Sequence, residues 1–125
     1  MKILVIEDQA IEMKLVHLVL SAAGHSVTSA GAAELAFEVI RSDRPAIILL
    51  DMTLPGMDGL ELVRMLKADP ATRDIQVVGV TSNLEKFGKE GALHAGCDAF
   101  IIKPLSTRTL PQTLTDVVAM GRSAS

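Results

Sequence analysis

Glu7, Asp8, Asp51, Thr81 and Lys103 bring three carboxylates, a hydroxyl and an ammonium to this sequence, spread across most of its length. They serve one chemistry only if the fold gathers them. Three neighbouring carboxylates repel one another, and burial drives at least one toward protonation unless a cation compensates. Oxygen-only ligands on short loops suit a hard cation such as Mg2+, which keeps several waters and takes one or two carboxylates together with a substrate phosphate. Lys103 adds a compact positive charge and Thr81 a hydroxyl donor, which together with a metal would neutralise the three equatorial oxygens of a phosphoryl group in transfer. Asp51 is then free to act as nucleophile. A carboxylate can form a covalent acyl phosphate, and catalysis of such a transfer is mostly positioning and electrostatics.

The elements that must position these residues are legible as five apolar runs: Ile3 to Ile6, Ser26 to Ser29, Ala46 to Leu50, Ile75 to Val80, and Ala99 to Ile102. All but the second are rich in Val, Ile and Leu without clean alternation, which marks strands buried on both faces of a parallel sheet. Segments of helical period lie between them. Ile11, Leu15, Leu18 and Val19 share a face, with Gly24 placed to end that helix; Leu35, Val39 and Ile40 mark a second helix, and Leu60, Val63 and Leu66 a third. The fourth, from Leu84 to Ala95, contains Gly88 and Gly91, each costing up to about 1 kcal/mol against alanine, and is expected to be the least stable. In the fifth, Pro111 opposes a start at Ser106, while Thr109 and Gln112 offer a capping pair for a later one. Strands alternating with helices predict a doubly wound α/β fold with right-handed crossovers.

In such a sheet, ligands bind beyond the carboxyl ends of the strands. The first run leads into Glu7-Asp8, the third into Asp51, the fourth into Thr81 and the fifth into Lys103-Pro104. The second ends in Ser29-Ala30, with nothing comparable. If that strand takes the sheet edge, the other four bring their functional groups to one rim.

A chain of 125 residues has room for one domain, expected over residues 1–121 with a short tail at 122–125. Hydrophobic residues at 49% and charged residues at 22% describe a globular chain, and no apolar run approaches the roughly 20 residues of a membrane span. Glu7-Asp8 interrupts the first run before it could serve as a signal-peptide core, so the expected location is cytoplasmic. Cys97 has neither a disulfide partner nor zinc-site company and reads as a small packed residue. A net charge of −3 without Trp or Tyr argues against nucleic-acid contact. With so little chain past the fifth helix, output is expected to pass through a protein partner.

The motifs Ile3-Leu4-Val5-Ile6-Glu7-Asp8, Leu49-Leu50-Asp51-Met52-Thr53-Leu54-Pro55-Gly56-Met57-Asp58-Gly59, Val80-Thr81-Ser82 and Ala99-Phe100-Ile101-Ile102-Lys103-Pro104 resemble, in order, those of response-regulator receiver domains in two-component signalling. The resemblance runs from Lys2 to about Met120. It implies a flavodoxin-like five-stranded parallel sheet in the order 2-1-3-4-5 with five helices. It further implies Asp51 as phosphoacceptor, Asp8 as a direct Mg2+ ligand and Glu7 as one through water, with Asp51 and the backbone carbonyl of Thr53 completing the protein ligands. Lys103 would pair with the phosphoryl group and Thr81 hydrogen-bond to it; Phe100 matches the switch aromatic, and the Lys103-Pro104 bond would be cis. The donor would be a histidine kinase or a histidine phosphotransfer protein, and the signal would reach a protein target through the fourth helix, fifth strand and fifth helix. Glu12-Met13-Lys14-Leu15 and Ala95-Gly96-Cys97-Asp98-Ala99-Phe100 are similar to stretches of single-domain phosphorelay and cell-cycle receivers. Ser82 departs from the family's usual alanine or glycine, and Pro111 is early for the last helix.

Plainer roles stay open for several of these residues. Glu7-Asp8 can cap the first helix while binding metal, Thr81 and Ser82 can cap the fourth, and Phe100 fits a core aromatic as well as a switch. His17, His25 and His94 lack ligand spacing, and Met52 and Met57 read as packing residues. An aspartyl-nucleophile phosphatase of the haloacid dehalogenase type needs a second aspartate where Thr53 stands, and a nucleotide-binding turn would not carry Glu7-Asp8-Gln9. An interaction domain that takes no phosphate is a third alternative, disfavoured by the complete set of site residues. A receiver belonging to a hybrid histidine kinase is a further one; Met1 directly before the first strand favours a free-standing regulator.

Overall fold

This computed structural model describes residues 1–52, 59–81, 96–103 and 106–124, the side chains of 33 and 121–124 excepted. The apolar runs become strands within one residue of the expected bounds: β1 (Lys2–Ile6), β2 (Ser26–Ala30), β3 (Ile47–Asp51), β4 (Gln76–Thr81) and β5 (Ala99–Ile102). All pair in parallel in the order β2-β1-β3-β4-β5, the doubly wound flavodoxin-like arrangement. Among the described residues four helices connect or follow them: α1 (Ala10–Ala22), α2 (Ala33–Ser42), α3 (Gly59–Ala68) and α4 (Leu110–Ala124).

Alternate strand residues feed two cores. On one face Leu4, Ile6, Ile48, Leu50 and Val77 meet Ala36 and Ile40 of α2 and Leu62, Val63 and Leu66 of α3. On the other, Ile3, Val5, Ile47, Leu49, Val78 and Val80 meet Val16 and Leu20 of α1 and Leu110, Leu114, Val117 and Val118 of α4. Each fully buried Leu, Ile or Val contributes roughly 1.5–3 kcal/mol of transfer free energy, so the three central strands are anchored on both sides.

Local signals set the ends of the helices. Past α1, Gly24 adopts φ +92°, the His25 amide donates to the Leu20 carbonyl at 3.2 Å and the Gly24 amide to Ser21 at 3.0 Å, closing a Schellman turn on the glycine expected to stop the helix. At the start of α3, a Cβ on Gly59 would stand 2.7 Å from the Met52 Cα, so glycine lets α3 lie directly against the chain just past Asp51. The last helix starts at Leu110, after a turn in which the Thr109 and Leu110 amides donate to the Ser106 carbonyl, and Pro111 occupies the first turn, where its missing amide costs no helical bond. The Gln112 side chain donates forward to Asp116 at 2.8 Å. The helix continues to Ala124 through residues expected as a tail.

Three expectations need correction. The α1 face carrying Ile11, Leu15 and Leu18 is the outer one, with exposures of 86%, 48% and 67%, while Val16 and Leu20 on the opposite side are buried. Apolar residues occur all round this helix, so periodicity did not distinguish its two faces. Leu35 of α2 likewise faces outward, and Ala36 takes the buried place beside Ile40. Finally, β5 is only half-buried because it forms the sheet edge opposite β2; Lys103 therefore follows an edge strand. The expected fourth helix, Ser82, Thr53, the Pro55-Gly56 turn, Met57, His94 and the Lys103-Pro104 bond lie outside the described residues.

One polar clamp braces this frame. Asp98 Oδ2 accepts the Val77 amide at 2.7 Å and Lys67 Nζ at 3.0 Å, and Lys67 also donates to the Ile75 carbonyl at 2.8 Å. The end of α3, the start of β4 and the entry to β5 are thereby fastened together. Asp98→Ala orphans the Val77 amide and is expected to cost about 1–2 kcal/mol, read as a lowered urea midpoint at unchanged slope.

Candidate functional site

Beyond the carboxyl ends of β1, β3 and β5, ladder-type hydrogen bonds continue for one more residue. The Glu7 amide donates to the Ala30 carbonyl at 3.0 Å, Met52 to Val80 at 2.9 Å and Lys103 to Thr81 at 2.9 Å. These bonds fix the backbone at Glu7, Lys103 and the residue after Asp51 before any side chain is placed.

Glu7, Asp8 and Asp51 come together as expected. One carboxylate oxygen from each lies within 4.8 Å of the other two. Glu7 and Asp51 are buried, at 7% and 3% exposure, whereas Asp8 is exposed on the solvent side. Lys103 Nζ stands 3.5 Å from Asp51 Oδ2 and 3.5 Å from Glu7 Oε2. Thr81 is wholly buried at the end of β4, joined through its backbone to Lys103. Glu7 Oε1 also accepts the amide of Gln9, the residue that leads into α1, at 3.1 Å, and among the described residues no side chain caps the first turn of that helix. Phe100, opposite Gly79 in the β4–β5 register, is half-buried and packs against the core that contains Met52 and Cys97. Cys97 is buried, and burial pushes its thiol up to about 11, as fits a packed rather than reactive residue.

Burial raises the Glu7 carboxyl to about 7, helped by the hydrogen bond and charge of Asp51 and opposed by the Gln9 amide and Lys103. Around Lys103, burial disfavours the ammonium, but the Glu12 hydrogen bond and the charges of Asp51, Glu7 and Glu12 outweigh it and hold its pKa above the usual value. Among the described residues the rim is thus acid-rich, with Lys103 facing Glu7, Glu12 and Asp51. Glu7, Asp8 and Asp51 offer oxygen donors alone, and a buried carboxyl raised toward neutrality gains from a nearby cation, so the residues fit a hard divalent metal.

Residues 3–115 match the response regulator receiver domain family. The chain belongs to the receiver family of two-component signalling. Among relatives, the phosphate regulon transcriptional regulatory protein PhoB of Pseudomonas aeruginosa is 37% identical over 116 residues, 93% of this chain and 51% of that protein. The polar-differentiation response regulator DivK of Brucella anthropi is 33% identical over 112 residues, covering 90% of this chain and 91% of its own. The receiver therefore spans about half the length of one relative and nearly all of the other. The crystal structure of the signal receiver domain of a signal transduction histidine kinase from Syntrophus aciditrophicus superposes with a TM-score of 0.86 at 27% identity, over 94% of this chain and 89% of that one. The acidic triad is the arrangement typical of a receiver's Mg2+ site, and the module is a signalling domain rather than a conventional enzyme. No helix among the described residues is long and apolar enough to cross a membrane.

The residue that the motifs did not single out is Glu12, whose Oε2 lies 2.5 Å from Lys103 Nζ. It lies in the first turn of α1, which begins at Ala10 just past Glu7-Asp8, and that nearness along the chain to the site acids was the available signal.

Proposed function

We propose that this receiver takes a phosphoryl group from the phosphohistidine of a kinase or phosphotransfer protein onto Asp51, in a Mg2+-dependent reaction, and passes the change to a protein target. The observation that carries the reading is the approach of Lys103 Nζ to Asp51 Oδ2 at 3.5 Å within the Glu7, Asp8 and Asp51 cluster. The nucleophile, a cation for the incoming phosphate and a metal-binding acid set share one rim.

Asp8, Glu7 and Asp51 would hold the metal, with the Thr53 carbonyl as the remaining protein ligand. Bound there, Mg2+ offsets negative charge on the phosphoryl oxygens. Asp51 supplies the attacking oxygen, Lys103 pairs with the transferred group and the Thr81 hydroxyl donates to it. The acquired charge of about −1.5 to −2, by analogy with other phosphorylated residues, pulls Thr81 and Lys103 toward Asp51. Because the Lys103 amide is bonded to the Thr81 carbonyl, that pull reaches the end of β5, and Phe100 three residues earlier is the proposed switch aromatic. The output surface is the predicted fourth helix with β5 and α4, read by a protein. Residues 1–121 are proposed as the working domain, in the cytoplasm. Similarity to a histidine kinase's receiver domain supports a second setting for the same chemistry, within a hybrid kinase.

Incubation with a phosphorylated histidine phosphotransfer domain tests the reading. Radiolabel is expected to move to this chain with Mg2+ present and to stay on the donor when EDTA is added. Failure to transfer from any histidine donor, or from acetyl phosphate, refutes it.

A further inference from the structure

Lys103 is shared unequally among its carboxylates. Its Nζ lies 2.5 Å from Glu12 Oε2, against 3.5 Å from both Asp51 Oδ2 and Glu7 Oε2. Glu12 belongs to the first turn of α1 and stands outside the acid cluster. Resting on the reading of Asp51 as phosphoacceptor, we propose that Glu12 is a positioning residue that holds the Lys103 ammonium back in the unphosphorylated chain and must release it for phosphoryl transfer. Glu12 thereby sets the rate of phosphorylation without setting the lifetime of the product.

The geometry makes the competition direct. An ammonium is a compact charge on a flexible four-carbon stem, and at 2.5 Å it makes a charge-assisted hydrogen bond, the stronger class. The Lys103 side chain is 14% exposed, so solvent screens the pair only partly, while Glu12 at 38% is free to turn toward water once released. A phosphoryl group on Asp51 offers a larger negative charge, and drawing the ammonium in from 3.5 Å toward that group weakens its bond to Glu12. The Glu12 contact therefore stabilises the state before transfer more than the transition state. Once Lys103 has moved, Glu12 contributes equally little to the phosphorylated chain and to the transition state of its hydrolysis. Only an interaction that differs between ground and transition states alters a rate, so the effect falls on phosphorylation alone.

The test uses the full chain with acetyl phosphate and saturating Mg2+, followed by intact mass. Glu12→Gln keeps the side chain's size, and phosphorylation is expected to quicken by about threefold to tenfold, with an unchanged half-life of the phosphorylated form. Glu12→Asp, one methylene shorter, is expected to fall between the two. In a Lys103→Gln background the Glu12 substitution is expected to change nothing, because no ammonium remains to be held. Equal rates for wild type and Glu12→Gln overturn the proposal, and so does an acceleration that survives Lys103→Gln, which is mere removal of charge. A wild-type chain that takes up no phosphoryl group sinks the phosphoacceptor reading and this inference with it, whereas equal uptake by both forms sinks this inference alone.

Discussion

Asp51→Asn is expected to abolish phosphoryl uptake from acetyl phosphate while leaving the fold intact. The substitution keeps the size of a side chain that is 3% exposed, so the surrounding packing is preserved. It replaces the proposed nucleophile, a carboxylate, with an amide whose oxygen cannot carry the acyl phosphate. Neighbouring carboxylates are not expected to substitute for it. Glu7 is held by the Gln9 amide and shares Lys103 less closely than Glu12 does, and Asp8 lies on the solvent side of the cluster. A loss of at least about a hundredfold is expected, the scale on which removal of an essential catalytic group is felt. Intact mass and Mg2+-dependent radiolabel measure it, and uptake by the variant at the wild-type level would refute Asp51 as acceptor. The same substitution removes one of the groups that raise the Glu7 carboxyl. Glu7 then ionises more easily, and at neutral pH the metal-free variant should unfold no earlier than wild type. A misfolded variant would unfold earlier, which separates loss of chemistry from loss of structure.

What the sequence made legible follows from how strongly each signal is tied to one physical cause. The cores of β1, β3 and β4 were readable because a strand buried on both faces must be apolar at successive positions, as Ile47, Ile48, Leu49 and Leu50 are. The acids were readable because each follows such a run, and a parallel sheet puts all those ends on one side. The α1 interface was not. Ile11, Leu15 and Leu18 are as apolar as Val16 and Leu20, and only the position of the sheet decides which set is covered. Edge position misled in a similar way. The lack of a functional group after β2 suggested that edges lie outside the site, yet β5 is the other edge and delivers Lys103. Glu12 escaped because its importance rests on a distance between two elements separated by most of the chain. A helix residue four positions from a metal-site acid reads equally well as solvated surface.

The apparent affinity for Mg2+ is expected to fall steeply as pH drops below about 7, by up to about tenfold for each pH unit. The cause is Glu7. Burial raises its carboxyl from 4.5 to about 7, so near neutrality a substantial fraction carries a proton that must leave before the residue can serve a cation as a charged acceptor. In the metal-free chain the folded state holds this proton more tightly than the unfolded one. The contribution of Glu7 to stability is therefore present below pH 4.5 and is lost as pH rises through 7, opposite in sign to a carboxylate in a favourable ion pair. Cation binding relieves what is lost, so the stabilisation given by saturating Mg2+ should be larger at pH 8 than at pH 6. Calorimetric titration at the two pH values, in buffers of different ionisation heat, measures both the affinity and the proton released. Glu7→Gln should bind more weakly at pH 8 and lose most of the pH dependence. If wild-type affinity stays flat from pH 6 to 8 with no proton released, the Glu7 carboxyl is already ionised and its burial does not govern the site.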